Sequence, residues 1–334
     1  MPLRSLPGTT DRRIAALLTL LADNAMIVIS GPKIAQEIGV TRSTVWRWVE
    51  RLRGLGVKVK GHPRSGYVIE KVPDVLAPNL LRRSLHNSIF EKHIYHFFKT
   101  DSTNRVALQL GHEGEPHGTL VLAEEQTAGR GRAGRAWHSE RASGVYMTAL
   151  LRPAISPADA PLLTLLAGLA ARDAIAEQAG VTPDLRWPND LLLGGKKIGG
   201  ILTEMHAEPE RVRFVIVGIG LNVNHSRMPD ELKAMATSLR METGRAHSRL
   251  ELVARLLRQL ESHYNRYLAE GPGPILERFA EASSFARGKR VRIANGRETF
   301  EGTTAGLALN GLLQVQRDDG RTETVISGDV TEAS

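Results

Sequence analysis

Between positions 124 and 140 the chain reads EEQTAGRGRAGRAWHSE, which sets Gly129, Gly131 and Gly134 among Arg130, Arg132 and Arg135. Glycines let backbone N–H groups come close to an anion, and arginines carry permanent charge on forked donors. GRGRAG fits the G-x-G-x-x-G spacing of a dinucleotide-binding turn. Such a turn needs a helix opening directly out of the glycines, so that a pyrophosphate rests on its N-terminus. A strand is expected before it in GTLVLAEE, but RAWHSERASG lacks apolar spacing of three and four, so no helix is expected after it. No Gly-Lys-Ser/Thr closes the loop as in a P-loop. A Gly-Arg loop is left, facing a nucleotide phosphate, a nucleic-acid backbone or only solvent.

Further polar clusters fall at expected strand ends: TDSTN (100–104), Gln126, RWPND (186–190), GKKIGGI (195–201) and GIGLNVN (218–224). Each also has a purely structural explanation. Ser102 would cap a helix, Trp187-Pro188-Asn189-Asp190 would be a turn around a core tryptophan, and Lys196-Lys197 would be solvated hairpin residues. Order and spacing along the chain have to decide between the two.

The elements that would position these clusters can be read from periodicity. Strands are expected at HIYHFFKT, TLVLAEE, VYMTALL and RFVIVGIGLNVN, a strand end at LRWPND, and a hairpin at DLLLGGKKIGGILTEM. Helices are expected at DSTNRVALQLG, over 158–180 as a long amphipathic helix, and twice within 249–283 around GPGP. This mixed order points to an α+β domain rather than a doubly wound sheet. From 288 onward Asn295-Gly296, Asn310-Gly311 and Asp319-Gly320 separate short alternating runs, the pattern of a small all-β barrel.

At the other end, DRRIAALLTLLA places Ile14, Leu17, Leu18 and Leu21 on one helix face. Two more helices, 31–38 and Thr41 to about Leu55, flank a turn at Gly39, with the small Ala35 letting them approach as in a helix-turn-helix. Thr41 is suited to cap the last of these, and Arg42, Ser43, Arg47 and Arg51 fall near its free face. VKVKGHPRSGYVI reads as a two-stranded wing carrying Lys58, Lys60 and Arg64. KVPDVLAPNLLRR, with Pro73 and Pro78, reads as a linker. The expected domains are thus a winged helix at 1–72, a linker at 73–92, the α+β domain at 93–284 and the small barrel at 285–334.

Composition agrees with such a soluble multidomain chain: 334 residues, 42% hydrophobic, 24% charged and net charge +8. Residues 1–70 hold 11 Lys/Arg against 5 Asp/Glu, so most of the excess sits there and points to a polyanionic partner for that segment. The absence of cysteine removes disulfides, thiol nucleophiles and thiolate metal sites. MPLRSLPGTT lacks the apolar core of a signal peptide, and no apolar run is long enough to span a membrane; the expected compartment is the cytoplasm.

Taken in order, DSTN, the Gly-Arg loop, WPND, KKIGGIL and GIGLNVN make nearly the whole chain resemble the biotin–protein ligases, specifically the bifunctional kind that also represses the biotin operon. The resemblance implies a C-terminal SH3-like barrel, activation of biotin by ATP to biotinoyl-5′-AMP, and transfer to a lysine of the biotin carboxyl carrier protein of acetyl-CoA carboxylase. It further implies ATP and Mg²⁺ as cofactors and operator DNA bound by a homodimer when the adenylate is present. Arg42, Ser43, Arg47, Arg51, Lys58, Lys60 and Arg64 would meet the DNA. By position, Ser102, Thr103, Asn104 and Gln126 match residues holding the ureido ring, and Arg130, Gly131 and Arg132 match the loop folded over biotin and adenylate. Arg186 matches the basic group between biotin carboxylate and phosphate. Arg130, Arg132, Arg135, Lys197 and Asn222 fall to the nucleotide, and Arg130, Arg132, Arg186 and Lys197 would supply the catalytic charge.

Two positions depart from the family pattern. Ala133 stands where the loop usually has a further basic residue, and Arg186 stands where lysine is usual. The second change keeps the charge but removes any proton-donor role. No self-contained carboxylate motif for a metal is present. Neighbouring possibilities are a lipoate ligase, which would need a longer apolar tunnel, a DNA-binding sensor without turnover, and a ligase whose winged helix no longer reads an operator.

Overall fold

Ile14, Leu17, Leu18 and Leu21 are all buried on one face of α1 (Thr9–Asp23), as their spacing predicts. The computed structural model describes residues 9–54, 56–62, 64–71, 74–296 and 298–333, so the expected boundary at Val72 and Pro73 lies outside the described residues. In α2 (Gly31–Ile38) the Ser30 side chain caps the Lys33 N–H, and in α3 (Arg42–Gly54) Thr41 Oγ1 accepts from the Thr44 N–H at 3.3 Å. Both caps satisfy donors that a helix start leaves open. The wing is an antiparallel pair, β1 (Val59–His62) and β2 (Gly66–Ile69).

The segment expected as a linker packs against the elements on both sides of it. It contains the short helix α4 (Pro78–Arg82), and its apolar side chains divide between two cores. Val75, Ala77 and Leu80 join Phe98 in the core of the winged helix, while Leu76, Leu81, Leu85 and Phe90 join that of the large sheet. Leaving these side chains in water would cost on the order of 10 kcal/mol or more, at about 1.5 to 3 for each large one.

The middle of the chain runs β3 (Ile94–Phe97), α5 (Thr103–His112), β4 (Thr119–Ala123), β5 (Gly144–Leu151), α6 (Ala160–Ala179), β6 (Asp184–Arg186), β7 (Asp190–Leu193), β8 (Lys196–Ala207), β9 (Val212–Asn222), α7 (Leu239–Thr243), α8 (Arg249–Glu270) and α9 (Gly273–Ala282). Seven strands form one mixed sheet in the order β3-β4-β5-β9-β8-β7-β6, with β3 parallel to β4 and the other neighbours antiparallel. The expectation of an amphipathic helix over 158–180 is corrected: 13 of the 20 residues of α6 are buried. The cause is its place between the sheet on one side and α8 and α9 on the other, which an Ala/Leu-rich helix can occupy without a polar face.

Arg249, fully buried at the start of α8, ties three segments together. Its Nε donates to Asp74 Oδ2 at 3.0 Å, and its Nη1 donates to Glu124 Oε2 at 2.8 Å and to the Gly144 carbonyl at 3.2 Å. Burial alone would raise the Glu124 carboxyl, but Arg249 and His96 outweigh it and hold it down at about 2.

The C-terminal segment is an antiparallel sheet of β10 (Arg287–Ala294), β11 (Thr299–Leu307), β12 (Leu313–Arg317), β13 (Thr322–Val325) and β14 (Asp329–Glu332), ordered β13-β12-β11-β10-β14. Its hairpin turns fall at the three Asn-Gly and Asp-Gly pairs. Val291, Ile293, Leu313 and Val315 share the core of the large sheet, and the Trp187 indole N–H donates to the Gly311 carbonyl at 2.9 Å. No helix among the described residues is long and apolar enough to cross a membrane.

Candidate active site and nucleic-acid face

Ser102, Thr103, Asn104, Gln126, Arg130, Gly131, Arg132, Arg135, Arg186, Lys197 and Asn222 all line one cavity of about 550 Å³. They come from the start of α5, the loop after β4, the β6–β7–β8 hairpins and the end of β9. Edge strands deliver the far wall: Gly328 to Thr331 of the C-terminal sheet also face the cavity.

The polar floor is tightly bonded. Ser102 makes no helix-capping bond with its side chain; instead Gln126 Oε1 accepts from the Thr103 N–H at 2.8 Å, while Gln126 Nε2 donates to Ser139 Oγ at 3.0 Å. Asn104 donates to the Leu202 carbonyl at 3.2 Å and to Glu204 at 2.7 Å, and accepts from Thr148 Oγ1 at 2.7 Å. It fits because position 218 is glycine: a Cβ there would lie 2.0 Å from Asn104 Oδ1. Asn222 Nδ2 donates to the Thr237 carbonyl at 3.0 Å, which fastens the segment after β9 against the strand end.

Above this floor Arg186 and Lys197 share one carboxylate. Arg186 Nη2 is 2.7 Å from Asp190 Oδ2, and Lys197 Nζ is 2.5 Å from Oδ1. Burial would raise the Asp190 carboxyl, but Lys197 and Arg186 together prevail and keep it below the ordinary carboxylate range. Each cation also lies near an aromatic ring, Arg186 6.0 Å from the centre of Phe285 and Lys197 5.6 Å from that of Trp137. Trp137 in turn lies on the sheet at Gly220, where a Cβ would come within 2.6 Å of the indole. Its buried Nε1 faces the cavity without a hydrogen-bond partner, a donor left for a ligand.

The Gly-Arg loop closes the remaining side, and the expected absence of a helix after it holds: only a single 3₁₀ turn, Arg132–Gly134, follows. Arg130 is exposed, Arg132 reaches Asn189 Oδ1 and the Gly328 carbonyl at 3.4 Å each, and Arg135 pairs with Asp329 at 2.6 Å. Ala133 sits at φ 53°, in the left-handed region that a residue with a Cβ enters only at some cost. The loop is thus latched onto the C-terminal sheet, a contact for which the sequence carried no signal.

Sequence reasoning reaches RWPND and AWHSE but assigns no role to Asp190, Trp137 or Asn189, all of which line the cavity. It also assigns none to His138, Glu140 and His225, the one group of three potential metal ligands among the described residues, of which His138 lines the same cavity. The H-x-E spacing of the first two was visible; the distant His225 was not.

On the winged helix, Arg42, Ser43, Arg47, Lys58, Lys60 and Arg64 are exposed, though Lys60 pairs with Glu70 across the wing. Arg51 is exposed as well but lies 5.7 Å from the centre of the Phe98 ring, turned to the large domain. Trp46, at 56% exposure, stands among these cations on α3.

Three family models match the chain: the Biotin/lipoate A/B protein ligase family over residues 97–222, an HTH domain over 13–68, and the Biotin protein ligase C terminal domain over 287–331. The chain is 40% identical over 307 residues to the bifunctional ligase/repressor BirA of Bacillus subtilis, which covers 91% of this chain and 94% of that protein. It is 35% identical over 268 residues to the biotin–[acetyl-CoA-carboxylase] ligase of Mycobacterium tuberculosis, covering 77% and 97% respectively. Among solved structures, the biotin protein ligase from Aquifex aeolicus in complex with biotin and ATP matches with a TM-score of 0.63 and 27% identity, over 72% of this chain and 100% of that one.

Proposed function

This chain belongs to the biotin protein ligase family, and we propose that it activates biotin with ATP, transfers it to a lysine of a biotin carboxyl carrier protein, and represses transcription through its winged helix. The observation that carries the enzymatic half is the Arg186–Asp190–Lys197 clamp facing the Gly-Arg loop across one cavity. When the biotin carboxylate attacks the α-phosphate, two anions meet and charge builds on phosphoryl oxygens. Cations held in place beforehand stabilise that charge without reorganising. Arg186, oriented by Asp190 and Phe285, would bridge carboxylate and phosphate, and Lys197 would meet the phosphate from the neighbouring strand.

Asn104, Gln126 and Thr103 are locked by their own hydrogen bonds, so they would present the ureido ring with a fixed surface on which Ser102 is one of the polar groups. Trp137 Nε1, Asn222 and the loop arginines would face the nucleotide. The adenylate is a mixed anhydride, and a loop latched to the C-terminal sheet would keep water from it until the carrier lysine arrives. Attack by that amine on the acyl carbon needs no nucleophile from the enzyme.

Mg²⁺ would enter on the triphosphate as part of the substrate. Both carboxylates of the cavity wall, Asp190 and Asp329, are already ion-paired, so these residues do not fit a protein-held ion. The five-stranded C-terminal sheet would close as a small SH3-like barrel. The exposed cations of α3 and the wing would contact an operator, with half-sites read by an adenylate-bound homodimer. The test is to incubate the purified chain with biotin, ATP and a carrier domain. Biotin-dependent pyrophosphate release and one labelled carrier lysine are expected; equal or better activation of lipoate would overturn the substrate assignment.

A further inference from the structure

Beside His138, which lines the cavity, stand Glu140 and His225, and one ligand atom from each of the three lies within 4.8 Å of the others. Two of the three side chains are exposed and free to adjust, while His225 is fully buried. Its surroundings determine which nitrogen carries the proton. Tyr146 has one phenolic proton, committed to the Glu140 carbonyl at 2.8 Å, so its oxygen can only accept from His225 Nε2, 3.4 Å away. The proton is therefore on Nε2, and Nδ1 carries a lone pair. That Nδ1 is buried with no hydrogen-bond partner. A buried acceptor left open is costly and calls for an occupant.

We propose that His138, Glu140 and His225 bind a divalent transition-metal ion of the zinc class, with at least one coordination position left to water or solute. Two imidazoles and a carboxylate suit zinc, which takes nitrogen at about 2.0 to 2.1 Å, and drawing in the two exposed side chains would close the set. Tyr146 acts on the outer side: by accepting from Nε2–H it holds the ring and its tautomer, as outer partners of metal-bound histidine do. Ser238 donates to the His225 carbonyl at 2.7 Å and fixes the backbone. A lone buried water would satisfy Nδ1 but has no need of the two exposed ligands beside it.

The ion would clamp the segment 137–140 to the end of β9. That segment carries Trp137, stacked on the sheet at Gly220, and Ser139, bonded to Gln126, so occupancy would stiffen two walls of the cavity at once. Binding of the ion is measured on the ligand-free chain and so is independent of the ligase reading, which can fail or hold separately.

The test uses the full-length chain without an affinity tag, stripped with chelator. Zn²⁺ is titrated by calorimetry, Co²⁺ by its visible absorption, and tryptophan emission is followed throughout. One saturating equivalent per chain is expected, with the Co²⁺ spectrum of a low-coordinate nitrogen–oxygen site and a change in emission from Trp137. His138→Ala and Glu140→Gln, both at exposed positions, should each weaken binding by roughly 100-fold or more, the scale set by outer-shell losses of about 10- to 100-fold. His112→Ala, which alters the separate His112–His206 ring contact, should leave the affinity unchanged. Absence of saturable binding, or binding that survives in both His138→Ala and Glu140→Gln, would overturn the site.

Discussion

Arg186 and Lys197 stand on strands and share the two oxygens of Asp190, whereas Arg130, Arg132 and Arg135 stand on a loop whose contacts reach outward to the C-terminal sheet. The strand pair is held on three sides by a carboxylate and two aromatic rings. The loop is held by two 3.4 Å contacts from Arg132 and by an exposed ion pair at Asp329. Charge that must be in place before reaction belongs on the first kind of support, because reorganising it during the step would add to the barrier. Charge that must let ligand in and then cover it belongs on the second. On the proposed function the two groups of cations would therefore differ in task although both line one cavity.

Substitutions at five positions sharpen or break this contrast, ordered by their expected effect on ligation. Arg186→Ala should raise the adenylation barrier by about 2 to 4 kcal/mol, or roughly 30- to 1000-fold in rate, while Arg186→Lys keeps the charge and remains active; single-turnover adenylate formation measures both. Asp190→Asn removes the partner that orients two cations, and a loss of about 1 to 3 kcal/mol, roughly 5- to 150-fold, is expected. Combined with Arg186→Ala it should add less than its own single effect, since the two residues act through one contact.

On the loop side, Asp329→Asn releases only a solvent-exposed ion pair, worth about 1 kcal/mol or less. It should speed adenylate release by roughly fivefold at most and leave its formation unchanged, as a filter-retention assay would show. Arg42→Ala and Arg47→Ala should leave ligation unaltered yet weaken DNA binding, each lowering the salt slope by about 0.9 for every phosphate no longer neutralised. A ligation defect in these two would mean that the winged helix serves the catalytic domain in another way.

How far the sequence alone reaches differs between the same regions. The helix-turn-helix, the wing, the β7–β8 hairpin and the three turns of the C-terminal sheet were legible because each depends on local periodicity, caps and turn residues. The convergence of five polar clusters was legible only from their order. The role of Asp190 was not, because a carboxylate between two cations is a tertiary fact: RWPND and GKKIGGI lie close together in the chain, but nothing in either says that Arg186 and Lys197 grip opposite oxygens. Trp137 was hidden for a similar reason, since Gly220, on which it rests, lies more than eighty positions further on. The α6 helix was misread as amphipathic because a second layer, α8 and α9, covers the face that a two-layer domain would leave to water. How 74–90 packs was likewise not legible, since Pro73 and Pro78 pointed only to a linker.

The division of labour between strand and loop is tested most directly by timing both half-reactions in Arg186→Ala and Arg132→Ala side by side. Arg186→Ala should slow adenylate formation by roughly 30-fold or more, with preformed adenylate held and transferred to the carrier at near-parental rates, and Arg132→Ala should lose adenylate faster than it loses the ability to form it. Parental adenylate formation in Arg186→Ala, or the same pattern of defects in both variants, would contradict that division.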